Sequence, residues 1–142
     1  MRRAAAVLAA GFVLAAALPV RAQTDYERRR LDYALHCEGC HLVDGTGLPG
    51  AVPPLTGSVA LLASRPGGRE YLVRVPGVAQ AALSDAALAA LLDWVIVEFA
   101  AGAAPPGFPP YTADEVGRWR RHPLVDVAAA RHALFEARPA QR

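Results

Sequence analysis

The stretch His36-Cys37-Glu38-Gly39-Cys40-His41 limits what this chain can become more than any other part of it. Two thiols stand three positions apart, and an imidazole follows the second directly. A link as short as Glu38-Gly39 lets both sulfurs meet one edge of a flat group, and Gly39 keeps side-chain bulk away from it. The next residue, His41, then lies under that group, where its ring can reach a central metal. C-x-x-C-H is the pattern for covalent haem. Cys37 and Cys40 would add across the two vinyl groups of the porphyrin, and His41 would bind iron from the proximal face.

Other uses of these residues have to be weighed. Thiol redox pairs sit in βαβ patterns, which this chain lacks. A structural zinc site takes four ligands, and there is no second cysteine pair. A single structural disulfide stays open to an exported chain. The attached His41 and the helical pattern on the N-terminal side favour haem.

Composition sets the frame around the motif. The chain has 142 residues, enough for one domain with an extension, and 12 Pro with 12 Gly imply helices joined by stiff loops. Its 15 basic residues are all Arg, spread among 13 acids, which is no footprint for nucleic acid. Residues 1–22 read as a secretory leader: Arg2 and Arg3, an apolar run over 4–20, then Val20-Arg21-Ala22 before Gln23. The run is short of the about 20 residues a membrane span needs, so membrane attachment is expected only if the leader is retained. Cleavage would remove Arg2, Arg3 and Arg21, leaving 12 Arg against 13 acids and a net charge of −1. The expected location is the periplasm.

Residues 23–101 form the first folded unit. A capping-box pattern at Thr24 to Glu27 predicts a helix from Asp25 into the motif. Leu31, Ala34 and Leu35 are its expected buried face, with Asp25/Arg29 and Arg28/Asp32 as charge pairs four apart. Residues 42–57 hold four glycines and three prolines and read as loop. Pro53 and Leu55 stand where a stiff carbonyl could orient the His41 ring and a leucine could cover the haem. Short helices are expected over 58–63 and 68–75, with Arg65 and Arg69 as candidates for a propionate. After a loop over 76–83, Ser84 and Asp85 open the clearest helix, in which Leu88, Leu91, Leu92, Val95 and Phe99 share a stripe. Trp94 should meet Tyr33 or Leu35. A Pro/Gly linker over 102–111 leads to an extension over 112–142 with two helices. The first is capped by Thr112 and Glu115 and runs to His122, and the second is capped by Asp126 and runs through Ala137. An extension this short cannot hold its own core, so it should fold back or bind a partner.

The order of helix, C-x-x-C-H, Pro-Pro-Leu loop, short helices and a Leu-Ser-Asp-capped apolar helix resembles the class I c-type cytochromes. The likeness covers residues 24–101. It implies an all-α fold, a small helical shell around one covalent haem c whose first and last helices cross steeply, here with two C-terminal helices added. By position, the resemblance makes Cys37 and Cys40 the thioether links and His41 the proximal iron ligand. It places Pro53, Leu55 and Val75 in the haem pocket.

One departure stands out. The family draws a second axial ligand, Met, from the loop before the last helix, whereas this chain has Val75-Pro76 there and a single methionine, Met1. His122 is the named candidate for the sixth position, beside His132, Gln80, a partner's group, or an open or water-filled site. His36 sits on the proximal side and cannot serve. The expected function is single-electron transfer through haem between redox partner proteins (a dehydrogenase, a cytochrome or an oxidase), without enzyme activity. Arg118, Arg120 and Arg121 offer a basic docking cluster. The alternatives are a haem protein whose open iron takes NO, CO or peroxide, as sensor or weak peroxidase, and a haem subunit of a larger dehydrogenase.

Overall fold

The computed structural model describes residues 17–101 and 107–136. Most of the expected leader, the first half of the linker and Ala137 lie outside them. Among the described residues eight helices follow in order: α1 (Ala17–His36), α2 (Glu38–His41), α3 (Val59–Ala63), α4 (Gly68–Arg74), α5 (Pro76–Ala79), α6 (Asp85–Phe99), α7 (Ala113–Trp119) and α8 (Val127–Glu136). Among the described residues there is no strand, only an isolated bridge between Leu48 and Val52, so the all-α expectation holds. No described helix is long and apolar enough to cross a membrane.

The central element is α6. Ser84 caps it by accepting the Ala87 N–H at 3.2 Å, and Asp85 in the first turn complements the helix dipole. Leu88, Leu91, Leu92, Val95, Ile96 and Phe99 are all buried. Full burial of such side chains stabilises by about 1.5–3 kcal/mol each.

The face that α1 turns to this core differs from the expected one. Leu31 and Leu35 are 57% and 69% exposed, whereas Tyr33 is fully buried. Its ring centroid lies 5.1 Å from Phe99 and 5.6 Å from Trp94, and Tyr26, seven residues earlier, meets Trp94 at 5.8 Å. A tyrosine buries more apolar area than a leucine, provided that its hydroxyl finds an acceptor. Here it does, because Tyr33 Oη donates to the Leu42 carbonyl at 2.6 Å. The helix rotates accordingly, and Trp94 packs on tyrosines rather than on Leu35. The expected charge pairs give way as well. Arg29 binds Asp32 at 2.8 Å and reaches across to the Ala87 carbonyl at 3.2 Å. α1 begins upstream of Thr24, so Thr24 and Glu27 lie inside the helix and do not start it. Arg21, Ala22 and Gln23 just before them are good helix formers and carry the helix through.

Tight backbone approach joins α3 to α4. Gly67 has φ 77°, and a Cβ on Gly68 would collide with the Leu62 carbonyl, so neither place accepts an ordinary side chain. One turn of helix, α5, opens with Pro76 where a loop was expected.

The extension folds back. Thr112 and Glu115 form the expected capping box, Val116 is fully buried, and α7 packs on α6 and α4 while α8 rests on α4. α7 ends at Trp119, short of His122, and Asp126 caps α8 through the Ala129 N–H at 2.8 Å. Two arginines considered for propionates hold this extension instead. Arg69 donates to the Pro109 and Pro110 carbonyls at 2.6 and 3.2 Å, pairs with Glu115 at 3.2 Å and lies over the Tyr111 ring at 4.1 Å. Arg65 donates to the Leu134 carbonyl at 2.9 Å and stacks on Phe135. Asp93, late on α6, accepts the Tyr111 N–H at 2.9 Å, and burial raises its carboxyl above the usual range against the pull of that bond and of Arg69.

Candidate haem-attachment site

The motif folds as one tight turn running on from α1. The Cys37 N–H bonds the Tyr33 carbonyl at 2.8 Å, and the Cys40 and His41 N–H groups bond the Cys37 carbonyl at 3.1 and 2.9 Å. Leu42 then takes φ 62° and turns the chain away. Two contacts fix this exit: Tyr33 Oη on the Leu42 carbonyl, and the Gly47 N–H on the His41 carbonyl at 3.0 Å. Glu38 is tied back to α1 through Arg30 at 2.8 Å, both side chains about a third exposed. Pairs of that kind contribute about 0–1 kcal/mol, so this one orients more than it stabilises.

The electrostatics of the three motif side chains differ. Burial, aided by Cys40, pushes the Cys37 thiol up to about 11. That thiol stays protonated at neutral pH, unlike the low-pKa thiolate of a redox pair. Burial also holds the His41 imidazole below its ordinary value, while the Pro53 carbonyl works in the opposite sense. That carbonyl acts from outside hydrogen-bond geometry, and Nδ1 is buried with no partner within range. His41 is therefore a half-buried neutral ring with the Pro53 carbonyl near it. Among the described residues no cluster of three His, Cys, Asp or Glu could hold a zinc ion.

The loop is shaped around that carbonyl. Gly47 has φ 71°, and a Cβ there would lie 2.8 Å from the Pro53 oxygen and closer still to that of Val52. Gly45 likewise lets the loop lie on Phe99, whose ring a Cβ would meet at 2.6 Å. Gly47→Ala is expected to displace the Pro53 carbonyl and free the His41 ring. The Nδ1–H proton resonance of His41 should shift, and stability should fall by about 1–3 kcal/mol for an alanine forced to positive φ against backbone. An unchanged resonance would show that Pro53 does not orient the ring.

Leu55 is anchored by its N–H on the Gly45 carbonyl at 2.7 Å and is half-buried against the core. Val75 ends α4, half-buried. His122 is exposed, but its backbone is held beside that same end: its carbonyl accepts from Arg74 Nε at 2.7 Å, and the Leu124 N–H bonds the Arg74 carbonyl at 2.8 Å. His132 is 73% exposed and lies 3.2 Å from Glu136. The structure thus brings Cys37, Cys40, His41 and Pro53 together, and joins Val75 to His122 through Arg74. Sequence reasoning missed the tyrosine hydroxyl that fixes the motif's exit; the spacing of Tyr26 and Tyr33 was the available sign.

Two features fit a covalently bound haem. Both thiols are free on one turn, and a Cβ on Gly39 would touch nothing, so no protein atom demands that glycine.

No protein-family model matches the chain. It is 37% identical over 118 residues to cytochrome c-552 of Thermus thermophilus, an alignment spanning 69% of this chain and 90% of that protein. A second cytochrome c-552, from a named strain of Thermus thermophilus, aligns at 37% over 118 residues, spanning 69% of this chain and 80% of the relative. With a helical fold, a C-x-x-C-H turn and this identity over most of the relative's length, the chain belongs to the c-type cytochromes.

Proposed function

We propose that this protein is a class I cytochrome that carries one haem c on Cys37 and Cys40, with His41 as proximal iron ligand. It moves single electrons in the periplasm between redox partner proteins. The observation that carries this reading is the neutral, half-buried His41 ring at the end of a turn that also bears both free thiols. Haem bound there supplies a one-electron ferric/ferrous couple.

The chain's own residues do the rest. The Pro53 carbonyl orients the imidazole without adding charge. Leu55 and Val75 limit water at the group. Tyr33 and Gly47 hold the turn on both sides of His41, so that little has to move when the charge changes by one. The docking cluster is narrower than the sequence implied. Arg120 points inward with its side chain 16% exposed, Arg118 is exposed over the Trp119 ring, and Arg121 is exposed with no ion pair among the described residues.

A second reading, small-ligand binding at an open iron, rests on the sixth position. The single methionine is Met1, and His132 is turned outward. The potential should therefore lie below that of a His/Met relative in similar surroundings. Mass spectrometry of the exported protein should show one haem gained and cleavage after Ala22. The ferrous protein should bind CO readily, and His122→Ala should leave its spectrum unchanged. A mature chain without the haem mass sinks the main reading. A low-spin ferrous spectrum, with CO binding only after His122 is replaced, would assign the sixth position to that residue.

A further inference from the structure

The arginines that join the extension to the haem domain differ in what they leave unspent. Arg120 commits its whole guanidinium. Its Nε donates to the Ala79 carbonyl at 3.0 Å, Nη2 to that of Ala81, and Nη1 to that of Leu83 at 2.8 Å and to the Asp85 carboxylate at 3.0 Å. Arg65 commits one nitrogen, Nη1, to the Leu134 carbonyl at 2.9 Å. Its Nε is buried and meets no acceptor, and Nη2 makes no hydrogen bond among the described residues. No acid answers its charge either. All 13 acids of the chain lie among the described residues, and none pairs with Arg65. A buried donor left in this state destabilises the fold until an acceptor reaches it. Arg65 also lines a cavity of about 510 Å³, together with Ser64, Gly67, Arg69, Phe108 and Pro109. No acid lines this cavity, and neither does any residue of the C-x-x-C-H motif or of the 42–57 loop.

We propose that this cavity is a binding site for a small organic acid, whose carboxylate takes the Nε–Nη2 edge of Arg65 and whose apolar body lies against Phe108 and Pro109. Two N–H donors in one plane match the two oxygens of a carboxylate, and charged hydrogen bonds of that kind are the stronger ones. The other side-chain donors of the lining are taken. Ser64 Oγ donates to the Leu61 carbonyl at 2.8 Å, and Arg69 serves the Pro109 and Pro110 carbonyls and Glu115. A phosphate, with more oxygens and more charge, would find too few donors here. Phe108 is half-buried and held 5.0 Å from the Arg69 guanidinium, which makes it a fixed apolar wall. The volume falls within the range of small-ligand sites. Because the motif contributes nothing to the lining, the site stands or falls apart from the proposed electron transfer.

The test titrates the haem-loaded full chain with benzoate, acetate and inorganic phosphate at constant ionic strength. Calorimetry measures the affinity, and the Gly67 and Phe108 amide resonances locate the site. Benzoate should bind saturably, at least about tenfold tighter than acetate, because its ring covers apolar surface that acetate leaves bare. Arg65→Lys keeps the charge and loses the paired edge, so it should weaken benzoate about ten- to a hundred-fold. Phe108→Ala should bring benzoate down to the affinity of acetate, and Arg121→Ala should change nothing. Absence of saturable benzoate binding overturns the site. Phosphate binding as tightly as benzoate overturns the carboxylate class, and acetate binding as tightly overturns the apolar half. An equal loss in R121A would mean diffuse attraction to surface arginines and overturns the role of Arg65. Should the α8 amides shift in R65K before any ligand is added, F108A decides, because unchanged benzoate affinity in that variant overturns the proposal.

Discussion

Replacing Cys37 and Cys40 together with alanine leaves a chain with no covalent haem and no sharp melting transition. A domain of this size buries only about two-thirds of its unfolded surface, so its margin is small. Cys37 and Leu55 are only half-buried against the core in the protein alone, and a haem on the motif would add apolar contact there. Losing about 3 kcal/mol would lower the melting temperature by roughly 10–20 °C in a domain of this length. We expect at least that, with residual helix in far-ultraviolet circular dichroism and a broadened transition, because α6 and α7 keep their own contacts. A double variant that melts as cooperatively as wild type, at the same temperature, would mean that haem is attached to a finished fold and is no part of its core.

The second large effect is expected at Tyr33. Tyr33→Ala removes a fully buried ring from the crossing of α1 and α6, where it touches Trp94 and Phe99. Truncations of buried aromatics cost about 3–5 kcal/mol, a large share of the total for a small domain. Tyr33→Phe keeps the ring and takes away only the bond to the Leu42 carbonyl, so about 0.5–1.5 kcal/mol is expected. Guanidinium unfolding of the haem-loaded variants would separate the two. The smaller change should also disturb the motif, since the Leu42 carbonyl lies one residue beyond His41. If Y33A unfolds within about 1 kcal/mol of wild type, the crossing is held by other contacts.

Much of this architecture could be read in the sequence, and the failures have physical causes. The stripe of α6, the Ser84, Thr112 and Asp126 caps and the break at 65–67 were legible because they depend on local chemistry that each residue carries with it. The all-α class followed from those elements. The buried face of α1 was not legible from its leucines. Two faces of that helix carry apolar residues, and the choice between them depends on whether a tyrosine hydroxyl meets an acceptor nine residues on. Cys37, Cys40 and His41 could be singled out by their spacing alone. The direction of the Pro53 carbonyl could only be suggested, because it depends on Gly47 letting two stretches of the loop touch. Arg65, Arg69 and Arg120 were least legible of all. A guanidinium gives no sign in sequence of whether it will meet a ligand, a partner or a distant carbonyl, and all three turned to carbonyls.

Those carbonyl partners have a consequence for how the protein can change. Arg120 holds Ala79, Ala81 and Leu83 through their main chain, and main-chain oxygens survive almost any substitution. The side chains of that stretch can vary while their backbone stays where it is. Gln80 is exposed between two of the held residues. Substitutions at that position can therefore be made on a backbone that does not have to be redesigned. A protein in which side-chain packing fixed this stretch would lack that freedom.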